Sequence, residues 1–409
     1  MAFPGGLRAL NHRDFRLFFT GQLISLVGTW MQSVGQSWLV LELTNSPFKL
    51  GVIGALQFGP MLFFSFVAGA IADRVPKRRL IISTQTALML QAFVLSALAW
   101  TGHVQYWHVA VLASLYGFAT TLDMPTRQSF IVEMVGKGDL MNAIALNSAM
   151  FNGARIVGPA AAGLLVARYG VAPAFFLNGV SFLAVIIALF GMQAEGLPHP
   201  RTGKSVVQDI LAGVRYAAGI PLVSLNLGLA LFVSLFVVNH NVLVPLLARD
   251  VLHEGAQGFG FLMAALGLGA VAGAIALAVL GSRQPRLVIL IGAAILSAVT
   301  VLVVSVLRQF WPAAIALGLV GFFQIVFMAS CNSTLQMTVP DRLRGRLMSL
   351  YAFVFAGMSP IGSFLAGSMA QVFGVSATFA AGGGLGLLSV LALTFWWRSR
   401  PGQTSEAIP

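Results

Sequence analysis

About twelve apolar stretches, each long enough to cross a bilayer as a helix, dominate this sequence. A crossing helix needs about 20 mostly apolar residues, because its backbone N–H and C=O groups find no water in hydrocarbon. Only 9% of the residues are charged, whereas a water-soluble domain carries about 25%. An all-α membrane protein is therefore predicted, with helices near 16–43, 49–72, 78–101, 105–123, 141–167, 171–192, 221–248, 257–281, 285–307, 311–331, 346–370 and 375–397.

Lysine and arginine are concentrated in alternate loops. One set of loops is rich in basic residues, and the opposite set holds only Lys49, Arg168, Arg249 and Arg308. Because basic loops stay in the cytoplasm, a multi-pass protein of the cell membrane with both termini cytoplasmic is predicted. The net charge of +12 is then a signal of topology in the lipid bilayer, and nucleic-acid binding is not expected.

The two halves of the chain resemble each other. A shift of 209 residues aligns the loop 73–77 with 282–286 and Gly51 with Gly260. A shift of 204 residues aligns a glycine series in helices 5 and 6 with one in helices 11 and 12, including Gly163 with Gly367. Such a parallel repeat predicts a site at the midplane between two bundles. The predicted division is an N-terminal six-helix bundle, a cytoplasmic linker with an amphipathic helix, and a C-terminal six-helix bundle, at 1–195, 196–220 and 221–409.

Helix 1 carries a polar stripe. Its members are spaced by three and four residues and share an arc of roughly 80°; they are Gln22, Ser25, Thr29, Gln32 and Gln36. Burying an unpaired amide in hydrocarbon costs several kcal/mol, so the stripe must avoid lipid. Two interpretations remain open: the stripe lines a hydrated cavity, or it hydrogen-bonds to neighbouring helices.

Two further helices carry polar residues near the midplane. Arg155 lies about ten residues from either end of helix 5, where it could bind an anionic group or brace backbone carbonyls. In helix 7, His240 could couple to protons or hold a structural hydrogen bond. The predicted lining of a substrate cavity is Gln32, Gln36, Asn152, Arg155, His240 and Asn241.

The segment from Gly69 to Arg78, Gly-Ala-Ile-Ala-Asp-Arg-Val-Pro-Lys-Arg, resembles the signature loop of the major facilitator superfamily. Pro76 stands where that pattern usually has glycine. In the family this loop controls the equilibrium between inward-facing and outward-facing states. The resemblance implies a gating network of Gly69, Asp73, Arg74, Lys77, Arg78, Asp123 and Arg127. The alternative is that these charges only set the topology.

Further segments resemble parts of that superfamily. The series Gly153, Gly158, Pro159 and Gly163 is similar to the glycine–proline signature of its antiporters, although looser. Three segments, 124–127, 209–216 and 244–249, resemble the transmembrane secretion-effector branch, which includes enterobactin exporters and macrolide efflux proteins. The resemblance covers essentially the whole chain.

This resemblance implies a secondary transporter that exports a small drug-like or siderophore-like solute by alternating access, with protons as the coupling ion. It implies a monomer with no cofactor and no metal. A lipid flippase or a nutrient importer on the same fold is the alternative. The stretch 113–117 lacks the arginine that many proton-coupled drug exporters have in helix 4, so no proton pathway is identified. An enzyme is not expected, because the sequence lacks the common metalloprotease, hydrolase and phosphate-binding motifs.

Overall fold

The computed structural model describes residues 5–198, 215–280 and 287–399, which form helices and loops and no strand. A short 3-10 helix, Gly5–Asn11, precedes the first long helix. The α-helices are α1 Arg13–Thr44, α2 Pro47–Arg74, α3 Lys77–Trp100, α4 Tyr106–Tyr169, α5 Ala172–Phe190, α6 Pro221–Phe232, α7 His240–Leu246, α8 Ala256–Leu280, α9 Leu287–Val306, α10 Phe310–Thr338, α11 Asp341–Phe373 and α12 Val375–Arg398. The predicted linker helix and the loop 282–286 fall on or beside residues 199–214 and 281–286, outside the described residues.

Helix α4 crosses the membrane twice. Its 64 residues would span about 96 Å if straight, whereas a bilayer core is about 30 Å thick. The helix is interrupted at Gly136, which has φ 67° and ψ 176°, a conformation that glycine adopts without strain. We therefore distinguish α4a (106–135) and α4b (137–169). The predicted loop 124–140 is helical except at this residue, so the prediction of a long loop was wrong.

The predicted seventh helix is discontinuous. The crossing Pro221–Val251 consists of α6, a π-helical turn Val233–Val237, α7 and a second π-helical turn Leu247–Val251. At the break, the side-chain amide of Asn239 donates to the carbonyl of Leu235 over 2.8 Å, and Gln324 Nε2 donates to the carbonyl of Val237 over 3.4 Å. Side chains thus replace part of the lost helix bonding. Discontinuous helices are typical of sites at the membrane midplane.

Ten helical segments in the described residues are long and apolar enough to cross a membrane. With α4 crossing twice and α1 added, they give the twelve predicted crossings. Helix α1 is absent from those ten because its polar stripe lowers its hydropathy. Gln22, Ser25, Gln32 and Gln36 of that stripe are all buried, as predicted. The protein surroundings of α1, rather than its own hydropathy, therefore make this crossing possible.

The crossings pack as two sets. In the N-terminal half (α1–α5), α1 packs against α4 and α5, and α3 packs against α5. In the C-terminal half (α6–α12), α8 packs against α10, and α9 against α12. The halves meet along two helix pairs, α2 with α11 and α4 with α8. This arrangement places any central site between the halves.

Two faces of the protein are distinguished below. The basic face carries the N-terminal 3-10 helix, the start of α1, the α2–α3 loop and residues 191–197. The N–H groups of Gln193 and Ala194 donate to Asp14 at the start of α1. The opposite face carries the α1–α2, α3–α4 and α7–α8 connections. Here Ser96, near the end of α3, donates to the carbonyl of Ala172 over 2.9 Å.

Candidate functional site

A cavity of about 760 Å³ lies between the halves. Its walls come from α2 and α4a of the N-terminal half and from α10 and α11 of the C-terminal half. The described wall residues include methionines, aromatic rings, hydroxyls and amides and no charged side chain: Met61, Ser65, Thr121, Met124, Pro125, Gln128, Ile325, Met328, Ala329, Asn332, Ser333, Ser349, Tyr351, Ala352, Phe353, Phe355, Ala356 and Gly357. Such a lining suits an amphiphilic organic molecule.

The cavity opens towards the basic face. Its walls extend to Gln128, beside the basic-face residue Arg127, and to Ser333 and Ser349, near the α10–α11 connection. Ser333 is exposed. On this face, all four ion pairs among the described residues join residues of the N-terminal half to each other and not to the C-terminal half.

Two glycine pairs close the opposite face. A Cβ built on Gly367 would lie 2.7 Å from Gly51 Cα, and a Cβ built on Gly260 would lie 2.7 Å from Gly163 Cα. Gly51 and Gly260 are equivalent positions of the sequence repeat, and so are Gly163 and Gly367. The α2–α11 contact therefore repeats the α8–α4b contact with the two halves exchanged. This relation is what a pseudo-twofold axis between the halves requires.

Polar and aromatic contacts add to this closure. Ser46 Oγ donates to Gln371 Oε1 over 2.8 Å, and Arg249 donates to the carbonyl of Leu41 over 3.2 Å. Ring pairs also join the halves here, with centroids 5.7 Å apart for Phe48–Phe364 and 6.3 Å apart for Trp38–Phe259. The structure is thus open on the basic face and closed on the opposite face.

The predicted stripe residues Gln32 and Gln36 lie inside the N-terminal half. Gln32 Nε2 donates to Gln91 Oε1 over 2.9 Å, and Asn178 Nδ2 donates to Gln32 Oε1 over 2.7 Å. Gln36 Nε2 donates to Gln57 Oε1 over 3.0 Å. Neither residue is on the cavity wall. In this conformation both amides hold helices together, which is the alternative interpretation of the stripe, and a role in binding substrate stays a prediction.

The Gln32 contacts give a testable expectation for stability. Gln32→Leu should lower the free energy of unfolding by about 1–3 kcal/mol, because it leaves the buried amides of Gln91 and Asn178 unsatisfied. The measurement is thermal unfolding of the purified protein in one detergent. Gln22→Leu is the matched control, since Gln22 is buried on the same helix and has no hydrogen bond in the described structure. Equal losses of unfolding free energy in Gln32→Leu and Gln22→Leu would contradict the proposed role of the Gln32 hydrogen bonds in holding the helices together.

The remaining predicted cavity residues are also not on the described cavity wall. Asn152 donates within its own helix to the carbonyl of Ser148, over 2.9 Å. The carbonyl of Asn241 accepts from Ser37 Oγ over 3.5 Å, which links α7 to α1 across the halves. His240 Nε2 donates to Gln324 Oε1 over 2.9 Å, and the second bond of that amide, to Val237, fixes this orientation.

Arg155 lies beside an aromatic ring and at a contact with the other half. Its guanidinium carbon lies 5.9 Å from the centroid of the Trp30 ring, and its backbone carbonyl would lie 3.0 Å from a Cβ built on Gly267 of α8. Arg155 forms no hydrogen bond and no ion pair with any described residue. The structure thus adds Trp30 as a neighbour of Arg155, and Gln324 as the hydrogen-bond partner of His240.

The basic-face network is only partly assembled as predicted. Asp123 is buried, forms an ion pair with Arg127 one turn further along, and accepts from Thr84 Oγ1 over 2.7 Å and Gln85 Nε2 over 3.0 Å. The Nε–H group of Arg127 is not aligned for a hydrogen bond, so the contact is an ion pair alone. This cluster secures α3 against α4a.

Lys77 and Arg78 hold the end of the N-terminal half. Lys77 is buried, and its Nζ lies 2.6 Å from Glu133 Oε1 and donates to the carbonyl of Leu197 over 3.1 Å. Arg78 donates to the carbonyl of Phe190 over 3.0 Å. Glu133 was missed by the sequence analysis because it lies in the stretch predicted to be a loop. The charge of Glu133 was the one sequence feature that could have indicated a partner for Lys77.

Asp73, Arg74 and Gly69 are not joined to these clusters. Asp73 and Arg74 form no ion pair within the described residues. A Cβ at Gly69 would meet no described atom within 4 Å, so Gly69 contacts no other member of the predicted network. The physical reason is that the basic face is open in this conformation. The predicted gating network is therefore not one cluster here, and its gating role stays a prediction.

The glycine–proline series predicted in helix 5 lies in α4b, and its members contact different helices. Gly158 packs against α1, where a Cβ would lie 2.5 Å from Trp30 Cβ, and Gly163 and the carbonyl of Pro159 pack against Gly260 of α8. A Cβ at Gly153 would meet no atom within 4 Å. Three members of the series therefore make close contacts, whether within the N-terminal half or across to the other half.

Comparisons with known proteins agree with this architecture. Residues 5–409 match the model of the transmembrane secretion effector family. Similar curated proteins include the multidrug efflux pump Tap of Mycolicibacterium fortuitum, 26% identical over 374 residues, which cover 89% of this chain and 91% of that protein. The staphyloferrin A transporter of Staphylococcus aureus is 26% identical over 380 residues, with coverages of 89% and 91%. The enterobactin exporter EntS of Escherichia coli is 27% identical over 388 residues, with coverages of 94% and 92%.

Solved structures show the same fold. A bacterial homologue of the human lysosomal transporter Spinster, in an inward-facing and unoccupied conformation, superposes with a TM-score of 0.71 at 13% identity, covering 94% of each chain. The nucleoside transporter NupG superposes with a TM-score of 0.73 at 10% identity, covering 93% of this chain and 99% of that one. At these identities the comparison concerns the fold alone.

Proposed function

This chain belongs to the transmembrane secretion effector family, whose members are major facilitator transporters and not enzymes, and we propose that it exports a small organic solute from the cytoplasm in exchange for protons. The curated relatives named above include an efflux pump and an exporter, which supports outward transport of small solutes. The basic face is then the cytoplasmic face, with both termini on that side. The protein acts as a monomer, since both halves of the site come from one chain.

One observation carries this proposal. The cavity is open to the basic face, while symmetry-related glycine pairs close the opposite face. A transporter that exposes its site to one side at a time needs a state that is open on one face only. It also needs a second state that is open on the other face only. Residues 1–195 and 221–409 are the proposed moving units, with 196–220 as the connecting segment. The pseudo-twofold glycine contacts support this division.

Transport assays in cells test the proposal. Accumulation of a panel of dyes, macrolides and catechol siderophores would be compared in cells with and without the gene, each with and without an uncoupler. The expected result is lower accumulation of at least one compound, reversed by the uncoupler. Higher accumulation would indicate an importer, and movement of labelled phospholipid in liposomes without any solute effect would indicate a flippase. Either result would contradict export.

Asp73 gives a further expectation. Asp73→Asn should slow export several-fold without reducing insertion, because the carboxylate is proposed to find its partner when the basic face closes. The rate of efflux from preloaded cells is the measurement, at matched protein levels. Glu195→Gln is the control, since Glu195 is an exposed carboxylate on the same face. Unchanged efflux in Asp73→Asn would show that the charge only sets topology.

A further inference from the structure

We propose that Arg155 and Trp30 of the N-terminal half, where α4b meets α8 of the C-terminal half, form a binding site for the anionic group of the transported solute. The substrate class is then an organic anion, in which a carboxylate or similar group is attached to an apolar body. This inference rests on the proposed export function and deepens it. The cavity itself does not suggest an anion, because its described wall carries no charge.

The first observation is that Arg155 has no counter-ion. Ion pairs among the described residues use Asp123, Glu133, Asp139 and Asp250, and none involves Arg155. Its guanidinium keeps its charge under all ordinary conditions. A charge near the middle of a crossing costs several kcal/mol unless it is paired or hydrated. An anion brought in from outside the protein would supply the missing partner.

The second observation is that the guanidinium is positioned by an aromatic ring. Arg155 Cζ lies 5.9 Å from the Trp30 centroid, and the Trp30 ring is itself in edge contact with Phe151, with centroids 5.8 Å apart. Gly158 allows α4b to approach the backbone of Trp30 closely. A guanidinium held near a ring by cation–π attraction keeps its N–H groups for an acceptor. Those N–H groups suit a planar carboxylate.

The third observation concerns the other half. The backbone carbonyl of Arg155 lies against α8, where a Cβ built on Gly267 would be 3.0 Å away. Arg155 is therefore at a contact between the halves, and no acidic residue among the described ones pairs with it. An anion bound here would supply a charge partner at this contact.

The position of Arg155 fits a site between the halves. Arg155 is eight residues before Gly163, about 12 Å along the helix from the contact that closes the opposite face. The site thus lies on the basic-face side of the closed contact.

Binding of a matched pair of probes tests the proposal. The anion 2-naphthoate and the neutral 2-naphthamide have nearly the same shape, and the carboxylate is fully ionised at about pH 7. Equilibrium dialysis would measure binding of each probe to the full chain in lipid nanodiscs at fixed ionic strength. The protein should bind naphthoate at least about tenfold more tightly than naphthamide, as expected for a charge-assisted bidentate contact.

Three variants locate the preference. Arg155→Gln should abolish it, Arg155→Lys should keep part of it, and Arg168→Gln should leave it unchanged, since Arg168 is an exposed arginine further along the same helix. Equal binding of the two probes by the unaltered protein, no binding of either, or a preference that persists in Arg155→Gln would overturn the proposal. If Arg155→Gln fails to fold, the binding of the two probes by the unaltered protein still tests the proposal.

The two proposals can fail separately. If cells still export a compound of the panel but the protein does not prefer naphthoate, export stands and the anion site is wrong. If the preference for naphthoate is found but accumulation of every compound is unchanged by the gene, the binding site stands and the direction or identity of transport is wrong.

Discussion

Gly367→Val should reduce export at least about fivefold and open the face of the protein that is closed in this structure. A Cβ at this position would lie 2.7 Å from Gly51 Cα and 2.7 Å from the carbonyl oxygen of Pro47. Both contacts are with backbone, which cannot move aside as a flexible side chain can. Overpacking of this kind costs about 1–3 kcal/mol, and each 1.4 kcal/mol changes the ratio of the two states tenfold.

Gly260→Val should have the same effect, because Gly260 occupies the equivalent position and meets Gly163 and the carbonyl of Pro159. Efflux from preloaded cells at matched expression is the measurement. Gly292→Val is the control, since a Cβ at Gly292, in α9, would meet no atom within 4 Å. Normal export by both interface variants would show that the glycine contacts do not control closure.

Asp123→Ala should lower the free energy of unfolding by about 3–5 kcal/mol. The substitution removes the partner of the largely buried Arg127 and leaves Thr84 and Gln85 without their acceptor. Losing one member of a buried ion pair is costly because the other charge remains uncompensated. The measurement is the thermal unfolding midpoint of the purified protein, with the loss of folded protein on storage as a second readout.

Asp123→Asn is the matched comparison for that variant. The amide oxygen can still accept from Thr84 or Gln85, whereas the charge opposite Arg127 is lost. Its destabilisation should therefore be smaller than that of Asp123→Ala. An unfolding midpoint that is unchanged in both variants would contradict a structural role for this cluster and would favour a purely topological role of Arg127.

The sequence repeat predicted more of the interface than any single motif. Gly51 and Gly260 were identified as equivalent, as were Gly163 and Gly367. An offset in sequence gives pairs related by symmetry and does not give pairs in contact. The structure shows which glycines are in contact. Gly51 lies against Gly367, and its equivalent Gly260 lies against Gly163, which is the equivalent of Gly367. Which positions face each other depends on helix packing across the halves, which has no counterpart in the sequence.

The polar stripe of α1 shows a different limit. Helical spacing predicted correctly which side of α1 is turned away from lipid, because that depends on the angle around the helix axis. It did not distinguish an amide facing water from one facing another amide. Both environments satisfy Gln32, and only the position of Gln91 and Asn178 on two other helices decides between them.

The helix ends were predicted less well near the basic face. Residues 124–140 carry charged and glycine residues that are typical of loops, but α4a and α4b continue through them on either side of Gly136. Tertiary partners stabilise these turns: Lys77 pairs with Glu133, and Arg8 and His12 pair with Asp139. Such contacts between distant segments override local composition, so the pairing could not be read from the sequence.

Labelling of a cavity cysteine tests the central claim most directly. Ser65→Cys places a thiol on the cavity wall, while the native Cys331 is buried. A membrane-impermeant maleimide would be added to vesicles of each orientation. Arg79→Cys, at an exposed position in the first turn of α3, would identify the basic face. Alternating access predicts labelling of Ser65→Cys from the basic face alone, and from the opposite face once Gly367→Val is added. Labelling from the opposite face without that substitution, or equally from both faces, would contradict it.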